Sequence, residues 1–168
     1  MNIMKKIKDK VLKKEIFKHI QKCLMNDEFP WYYSNNQVNG GNDASFLFHS
    51  IYHKHTINSP FFKILSPLLD YLNPVSLINI RANLQLNRTN VNSDYHADNN
   101  PAEALKHKTA IFYVNTNNGY TEFEDGDKID SIENRILTFP SKLFHRAVSQ
   151  TDKDQRIVIN FNYFDNTI

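Results

Sequence analysis

From Val75 onward the sequence is written in short apolar runs: Leu77 to Leu86, Thr109 to Asn115, Tyr120 to Glu124, Arg135 to Phe139, Ala147 to Ser149 and Arg156 to Phe164. The runs are rich in Ile, Val, Phe, Tyr and Thr and are separated by Asn, Asp, Gly and Pro, a pattern of strands joined by turns. An all-β sandwich or barrel is therefore expected over 75–168, with helices from the N-terminal part packed outside it.

Two of these runs have readable faces, because side chains two apart point the same way. In the run from Thr109, one face carries Thr109, Ile111 and Tyr113 and the other Ala110, Phe112 and Val114. In the run from Arg156, Ile157, Ile159, Phe161 and Tyr163 form an unbroken apolar row, while Arg156, Val158, Asn160 and Asn162 form a polar one. A polar row fits a solvent-facing sheet. It also fits a sandwich interior that houses polar groups.

Residues 1–74 read as mostly helical support and loops. Residues 1–22 hold eight Lys against Asp9 and Glu15, a local excess of +6 in a chain whose net charge is +2. Leu12, Ile16, Ile20 and Leu24 recur at four-residue spacing there, which describes a helix docked on a core with its lysines in water. The same basic face would suit a nucleic acid or an anionic surface, a reading not favoured over the docked helix. Asn26 to Asn42 reads as a loop punctuated by Pro30 and Gly40-Gly41, and Pro60 to Leu72 as a second helix.

At 168 residues, 40% of them hydrophobic, the chain fits one domain spanning 1–168 with a single core. Its longest apolar stretch, Phe61 to Leu72, is broken by Lys63, Ser66, Pro67 and Asp70, so no membrane partner is expected. A single Cys23 excludes an intrachain disulfide and a multi-thiolate zinc site, and with no signal-like start the expected compartment is the cytoplasm.

Chemistry enters at Tyr95-His96-Ala97-Asp98, where an imidazole and a carboxylate two residues apart would aim at one point. Chance alone supplies a His-x-Asp roughly 0.5 times in a chain of this composition, so the fragment is weak by itself. It gains weight from His145, placed after the Arg135 run, since two His and one carboxylate on one face of an octahedral ion leave three positions open. Arg156 follows the polar turn Gln150 to Gln155, and its planar fork suits a carboxylate held out of water. The bland alternative makes Arg156 the start of an exposed strand, His145 a satisfied core His and Asp98 a turn cap with Asn99, Asn100 and Pro101.

The segments His96-Ala-Asp98, Thr109 to Asn115, Gly119-Tyr-Thr121-Glu-Phe123, His145-Arg-Ala-Val148 and Arg156-Ile-Val-Ile-Asn-Phe together resemble the Fe(II)/2-oxoglutarate dioxygenases of the prolyl 4-hydroxylase-like branch. They span 77–164 in the same order and spacing. The resemblance implies a double-stranded β-helix, a distorted jelly roll of cupin type, using Fe(II), 2-oxoglutarate and O2. It implies His96, Asp98 and His145 as metal ligands and Arg156 as the partner of the distal carboxylate of 2-oxoglutarate. Tyr113 would bond to that carboxylate, with Ile111 lining the pocket and Thr121 close by, and Asn83 or Gln85 would reach its metal-proximal end. The implied reaction hydroxylates a substrate, a prolyl or other protein residue or a small molecule, while 2-oxoglutarate loses CO2 to give succinate. Two departures stand out. Asn118 replaces a frequent second Gly, and Val158 stands where many members place Ser or Thr.

Rival readings are a catalytically silent β-sandwich that binds nucleic acid or protein, and a cupin-like metal enzyme that does not use 2-oxoglutarate. Three other clusters read more simply as structure. His49, His53 and His55 lack a carboxylate at matching spacing. The run Glu122, Glu124, Asp125 and Asp127 beside Gly126 reads as a hairpin tip, because calcium-loop spacing is absent. Trp31, Tyr32 and Tyr33 read as packing for the N-terminal loop ahead of a substrate platform.

Overall fold

A computed structural model describes residues 5–34, 46–87, 92–98 and 107–165. The elements are, in chain order, β1 (Lys6–Lys8), α1 (Lys14–Leu24), β2 (Tyr32–Ser34), β3 (Phe46–His53), β4 (Thr56–Ile57), a 3-10 segment (Pro60–Leu65) running into α2 (Ser66–Leu72), β5 (Ser76–Leu86), β6 (His107–Tyr113), β7 (Tyr120–Phe123), β8 (Lys128–Asp130), β9 (Arg135–Pro140), β10 (His145–Val148) and β11 (Gln155–Phe164). All pairings among the described strands are antiparallel. The larger sheet runs β1-β9-β6-β11-β5-β3-β2 with β4 on β3, and the smaller runs β10-β7-β8.

The period of two in β6 and β11 sorts their side chains into two cores. Ala110, Phe112, Val114, Ile157, Ile159, Phe161 and Tyr163 join Phe17, Ile20 and Leu24 of α1 and Leu65 and Leu68 on the outer face of the larger sheet. Ile111, Tyr113 and Val158 meet Phe123 and Ile129 of the smaller sheet, with Leu137 and Phe139, in a second cluster between the sheets. The polar row of β11 therefore faces the interior of the sandwich.

Helix α1 docks by Phe17, Ile20 and Leu24, a stripe at i, i+3 and i+7. Ile16, expected on that stripe, is 37% exposed, because the buried stripe runs through Phe17 and leaves Ile16 at its edge, while Leu12 lies ahead of the helix. Leu12 is held instead by Asn134, whose side chain bonds to its backbone N–H and C=O at 3.0 and 2.8 Å, as a neighbouring strand would. The expected helix over Pro60 to Leu72 splits at Ser66 into the 3-10 segment and α2, and Asn73 closes it in a left-handed conformation.

Residues 1–74 are not only helix and loop, since β1 to β4 all join the larger sheet. Neither signal stood out in the sequence. The side chains of β1 are exposed throughout, and the apolar run of β3 is interrupted by His49 and Ser50. The loop read over Asn26 to Asn42 contains β2, and its Gly40-Gly41 lies outside the described residues. Among the described residues, no helix is long and apolar enough to cross a membrane.

Candidate functional site

Residues 92–98 run irregularly along β10. The pair His96 and His145 forms a β-bridge, His96 N–H donating to His145 C=O at 3.0 Å and the reverse bond at 2.9 Å. Asp98 N–H donates to the Ser141 carbonyl at 3.2 Å, so the alternation of an extended chain turns both His96 and Asp98 toward His145. One ligand atom from each of the three lies within 4.8 Å of the others, the one such cluster among the described residues.

The donor atoms are oriented as well as close. Each imidazole Nδ1 faces a backbone carbonyl, His96 to Asp94 at 3.1 Å and His145 to Leu143 at 3.0 Å. A carbonyl only accepts, so Nδ1 carries the proton and each Nε2 lone pair points inward. The inward atoms lie 3.7 and 3.9 Å from Asp98 Oδ1, too far for hydrogen bonds and suited to sharing an ion. Asp98 Oδ2 is occupied: the Thr109 hydroxyl donates to it at 2.6 Å and the Asn162 amide at 2.9 Å. One carboxylate oxygen is thereby fixed outward from the site and the other into it.

Burial pushes the His145 imidazole below its usual value, with Asp98 opposing, so the ring is neutral. For Asp98 burial is the largest influence and favours the acid, but it is outweighed by the charge that His145 and His96 carry when protonated and by the Thr109 and Asn162 hydrogen bonds, which hold the carboxyl below the usual range. Two imidazoles and one carboxylate are the donor set of a divalent first-row ion such as iron.

A cavity of about 100 Å³ opens beside this cluster, and β5 and β11 form its floor. Their register pairs Arg156 with Gln85, Val158 with Asn83 and Asn160 with Arg81, all of which line the cavity. Arg156 is 3% exposed. Its Nε donates to Ser131 Oγ at 2.9 Å, its Nη1 to Gln85 Oε1 at 2.8 Å, and its Nη2 lies 3.4 Å from Thr121 Oγ1. No carboxylate among the described residues pairs with it. Burial pulls its pKa down and the nearby Tyr113 pulls it up, and an arginine stays charged regardless. A buried guanidinium surrounded only by neutral groups is a ready site for an anion.

Other expected residues fall around these two. Ile111 and Thr121 line the cavity. Tyr113 is wholly buried, its hydroxyl 2.8 Å from Thr121 Oγ1, and burial raises its pKa and keeps the phenol protonated. Asn83 and Gln85 share one face: Gln85 contacts Arg156, and Asn83 stands one pair nearer the metal ligands. Asn118, in place of a Gly, stitches the turn before β11 by bonds with Asp152 and Thr151. Val158 leaves Arg156 without a neighbouring hydroxyl on its own strand, and Ser131 supplies one from the opposite side.

Ser131, Thr109 and Asn162 were not singled out in the sequence. Thr109 and Asn162 carried a signal, since each sits on the inward face of its strand, whereas Ser131 follows β8, whose three residues had no strand signature. Among the described residues the other clusters gather no set of metal ligands. His49 is bonded on both ring nitrogens, to the Pro30 carbonyl and Ser59 Oγ at 2.7 Å each. His53 and His55 flank the turn between β3 and β4, where Lys54 and His55 take positive φ. The acidic run is the β7–β8 hairpin tip, Gly126 at φ +92° and Asp125 and Asp127 paired with Lys5. Trp31 packs on Phe29 at 4.7 Å between centroids, whereas Tyr32 and Tyr33 are exposed on β2. Asn99, Asn100 and Pro101 lie outside the described residues.

No protein-family model and no curated protein matches the sequence. Solved structures do. A prolyl hydroxylase from Trichoplax adhaerens, in complex with a hypoxia inducible factor oxygen degradation domain peptide fragment, aligns over 98% of this chain and 84% of its own with a TM-score of 0.72 at 18% identity. The epimerase SnoN from nogalamycin biosynthesis, in complex with Fe3+, alpha ketoglutarate and nogalamycin RO, aligns over 98% and 80% with a TM-score of 0.70 at 12% identity. A 2OG-Fe(II) oxygenase family oxidoreductase from Burkholderia pseudomallei aligns over 95% and 84% with a TM-score of 0.69 at 8% identity. The fold is that of the 2-oxoglutarate and Fe(II) oxygenases. In such a double-stranded β-helix the interior is the space between the two sheets, which is where His96, Asp98, His145 and Arg156 meet in this chain.

Proposed function

We propose that this protein is an Fe(II)- and 2-oxoglutarate-dependent oxygenase that hydroxylates a C–H bond of its substrate. The observation that carries the reading is the pairing, beside one cavity lined by His96, His145 and Arg156, of an oriented His-Asp-His cluster with a buried, carboxylate-free arginine. His96, Asp98 and His145 would hold the metal through Nε2, Oδ1 and Nε2, and Arg156 would hold the distal carboxylate of 2-oxoglutarate. Iron and 2-oxoglutarate, when bound, supply an oxidant from O2, one oxygen atom going to succinate as CO2 leaves and the other to the substrate hydroxyl.

The protein's part is binding and orientation. Ser131 and Gln85 accept from Nε–H and Nη1–H at the edge of the Arg156 fork and keep it in plane. Ile111 and Val158 wall the space between anchor and metal ligands with apolar surface, which excludes water and strengthens the charge pairing. Thr109 and Asn162 prevent Asp98 from turning its second oxygen inward.

A prolyl residue is a candidate substrate, after the activity named for the Trichoplax structure. The test of the reading is anaerobic addition of Fe(II) and 2-oxoglutarate, expected to give a visible charge-transfer band that Arg156→Ala weakens. Admission of O2 should then release succinate. Iron-loaded protein that gives neither band nor succinate overturns the reading, and a cupin-like metal enzyme without 2-oxoglutarate takes its place.

A further inference from the structure

The cavity contains a second cation that the proposed reaction does not use. Arg81 lies on β5, opposite Asn160 of β11 and therefore four residues from the Arg156–Gln85 pair, toward the metal ligands. Its guanidinium carbon stands 5.5 Å from the Phe46 ring centroid, so one face is stacked. Among the described residues its guanidinium makes no hydrogen bond, and its Nε is buried without a partner. The Oδ1 atoms of Asn83 and Asn160, beside it on the same floor, are buried and unpaired too. By contrast Arg146, also at the cavity, is matched by Glu122 at 2.5 and 2.7 Å.

Buried donors without acceptors are rare and mark a missing partner. The charges say of which sign. Arg81, Arg156 and a divalent ion against Asp98 leave the cavity with a positive excess of three, of which the 2-oxoglutarate dianion neutralises two. Resting on that reading of the site, we propose that Arg81 anchors a carboxylate of the primary substrate, and that Asn83 and Asn160 accept N–H or O–H donors from the same molecule. The substrate is then an organic acid, free or peptide-borne, gripped near the atom to be hydroxylated.

The test uses the full chain with Mn(II) in place of iron, saturating 2-oxoglutarate, and acetate as probe. The bound ion should accelerate relaxation of the acetate methyl protons saturably, and neutral acetamide should compete at least about tenfold less well. Arg81→Met should abolish the saturable part, Arg81→Lys should keep it within about tenfold, and calorimetric affinity for 2-oxoglutarate should change less than about threefold in both, since Arg156 bears that load. Should Arg81→Met fail to fold by circular dichroism, Arg81→Gln carries the same expectation. Acetate relaxed equally in the Met or Gln variant overturns the inference, the probe then sitting on the metal or nowhere specific. Loss of 2-oxoglutarate affinity as large as in Arg156→Ala also overturns it, because Arg81 would then hold the co-substrate's keto-acid end. Unaltered protein that binds neither Mn(II) nor 2-oxoglutarate overturns the reading beneath it, and the inference falls with that reading.

Discussion

Asn162 donates to Asp98 Oδ2 at 2.9 Å across sixty-four positions of sequence, and it does so from the last buried inward position of β11, the strand whose second residue is Arg156. One strand thus carries the co-substrate anchor at one end and the support of a metal ligand at the other. The distance between the two functions is set by a backbone that hardly flexes.

Removing that support should loosen the metal and leave the fold intact. In Thr109→Val and Asn162→Leu the second oxygen of Asp98 loses a donor, and metal affinity is expected to fall about 10- to 100-fold for each. Competition titration against a metallochromic chelator reads the change, and equal affinities in variant and parent would refute the supporting role.

Metal should in turn stabilise the protein. An ion held only by the folded chain raises unfolding free energy by about 2.7 kcal/mol at one hundred times its dissociation constant. Mn(II) is therefore expected to raise the melting temperature of the parent but not of His145→Ala, since His145 is one of the three inward donors. A melting curve indifferent to Mn(II) in the parent argues that the three donors do not bind it.

Arg156 should be hard to replace. Arg156→Ala is expected to weaken 2-oxoglutarate binding by about 2 kcal/mol or more, near thirtyfold, and Arg156→Lys to restore only part, because a point charge lacks the fork that Ser131 and Gln85 hold in plane. Calorimetry with Mn(II)-loaded protein separates the two, and full recovery by Lys would show that the fork is dispensable.

Gly119 is packed against the same arginine. A Cβ there would meet Val148 O at 2.9 Å, Asn117 Oδ1 at 2.9 Å and Arg156 Cδ at 3.0 Å. Backbone cannot yield cheaply, so Gly119→Ala should cost about 1–3 kcal/mol in denaturant unfolding and displace the guanidinium. An unchanged midpoint with unchanged 2-oxoglutarate affinity would count against this packing.

Asp9 gives a pH signature away from the site. Its carboxylate meets Arg135 at 2.6 and 2.9 Å, and that hydrogen bond, foremost among the causes, holds its pKa below the ordinary value. The folded value is the lower one, so the pair's contribution is present above an unfolded pKa of about 3.9 and fades as pH falls through the folded value. Exposed pairs contribute at most about 1 kcal/mol. Asp9→Asn should therefore lower stability slightly at neutral pH, with the gap closing in acid. A gap constant with pH would mean the ion pair is not its source.

The strands that build the site were legible because their periodicity is strict: the two faces of β6 and β11 separate in the sequence as they do between the two cores. His96, Asp98 and His145 were legible as residue types in order, and their convergence came only with the bridge between His96 and His145. Edge strands escaped notice because a three-residue exposed strand such as β1 is defined by its partner, not by its own side chains. Arg81 escaped because one arginine in an apolar run looks like any solvated charge until its Nε proves to be buried without an acceptor.

The two-sided use of β11 has a cost in adaptability. Every second residue from Ile157 to Tyr163 is committed to the outer core, and the residues between them furnish the cavity floor or its metal end. A slip of one position would exchange the two sets entirely. Tolerance to substitution along this strand should therefore rise and fall like a sawtooth, with new substrate preferences accessible only at alternate teeth.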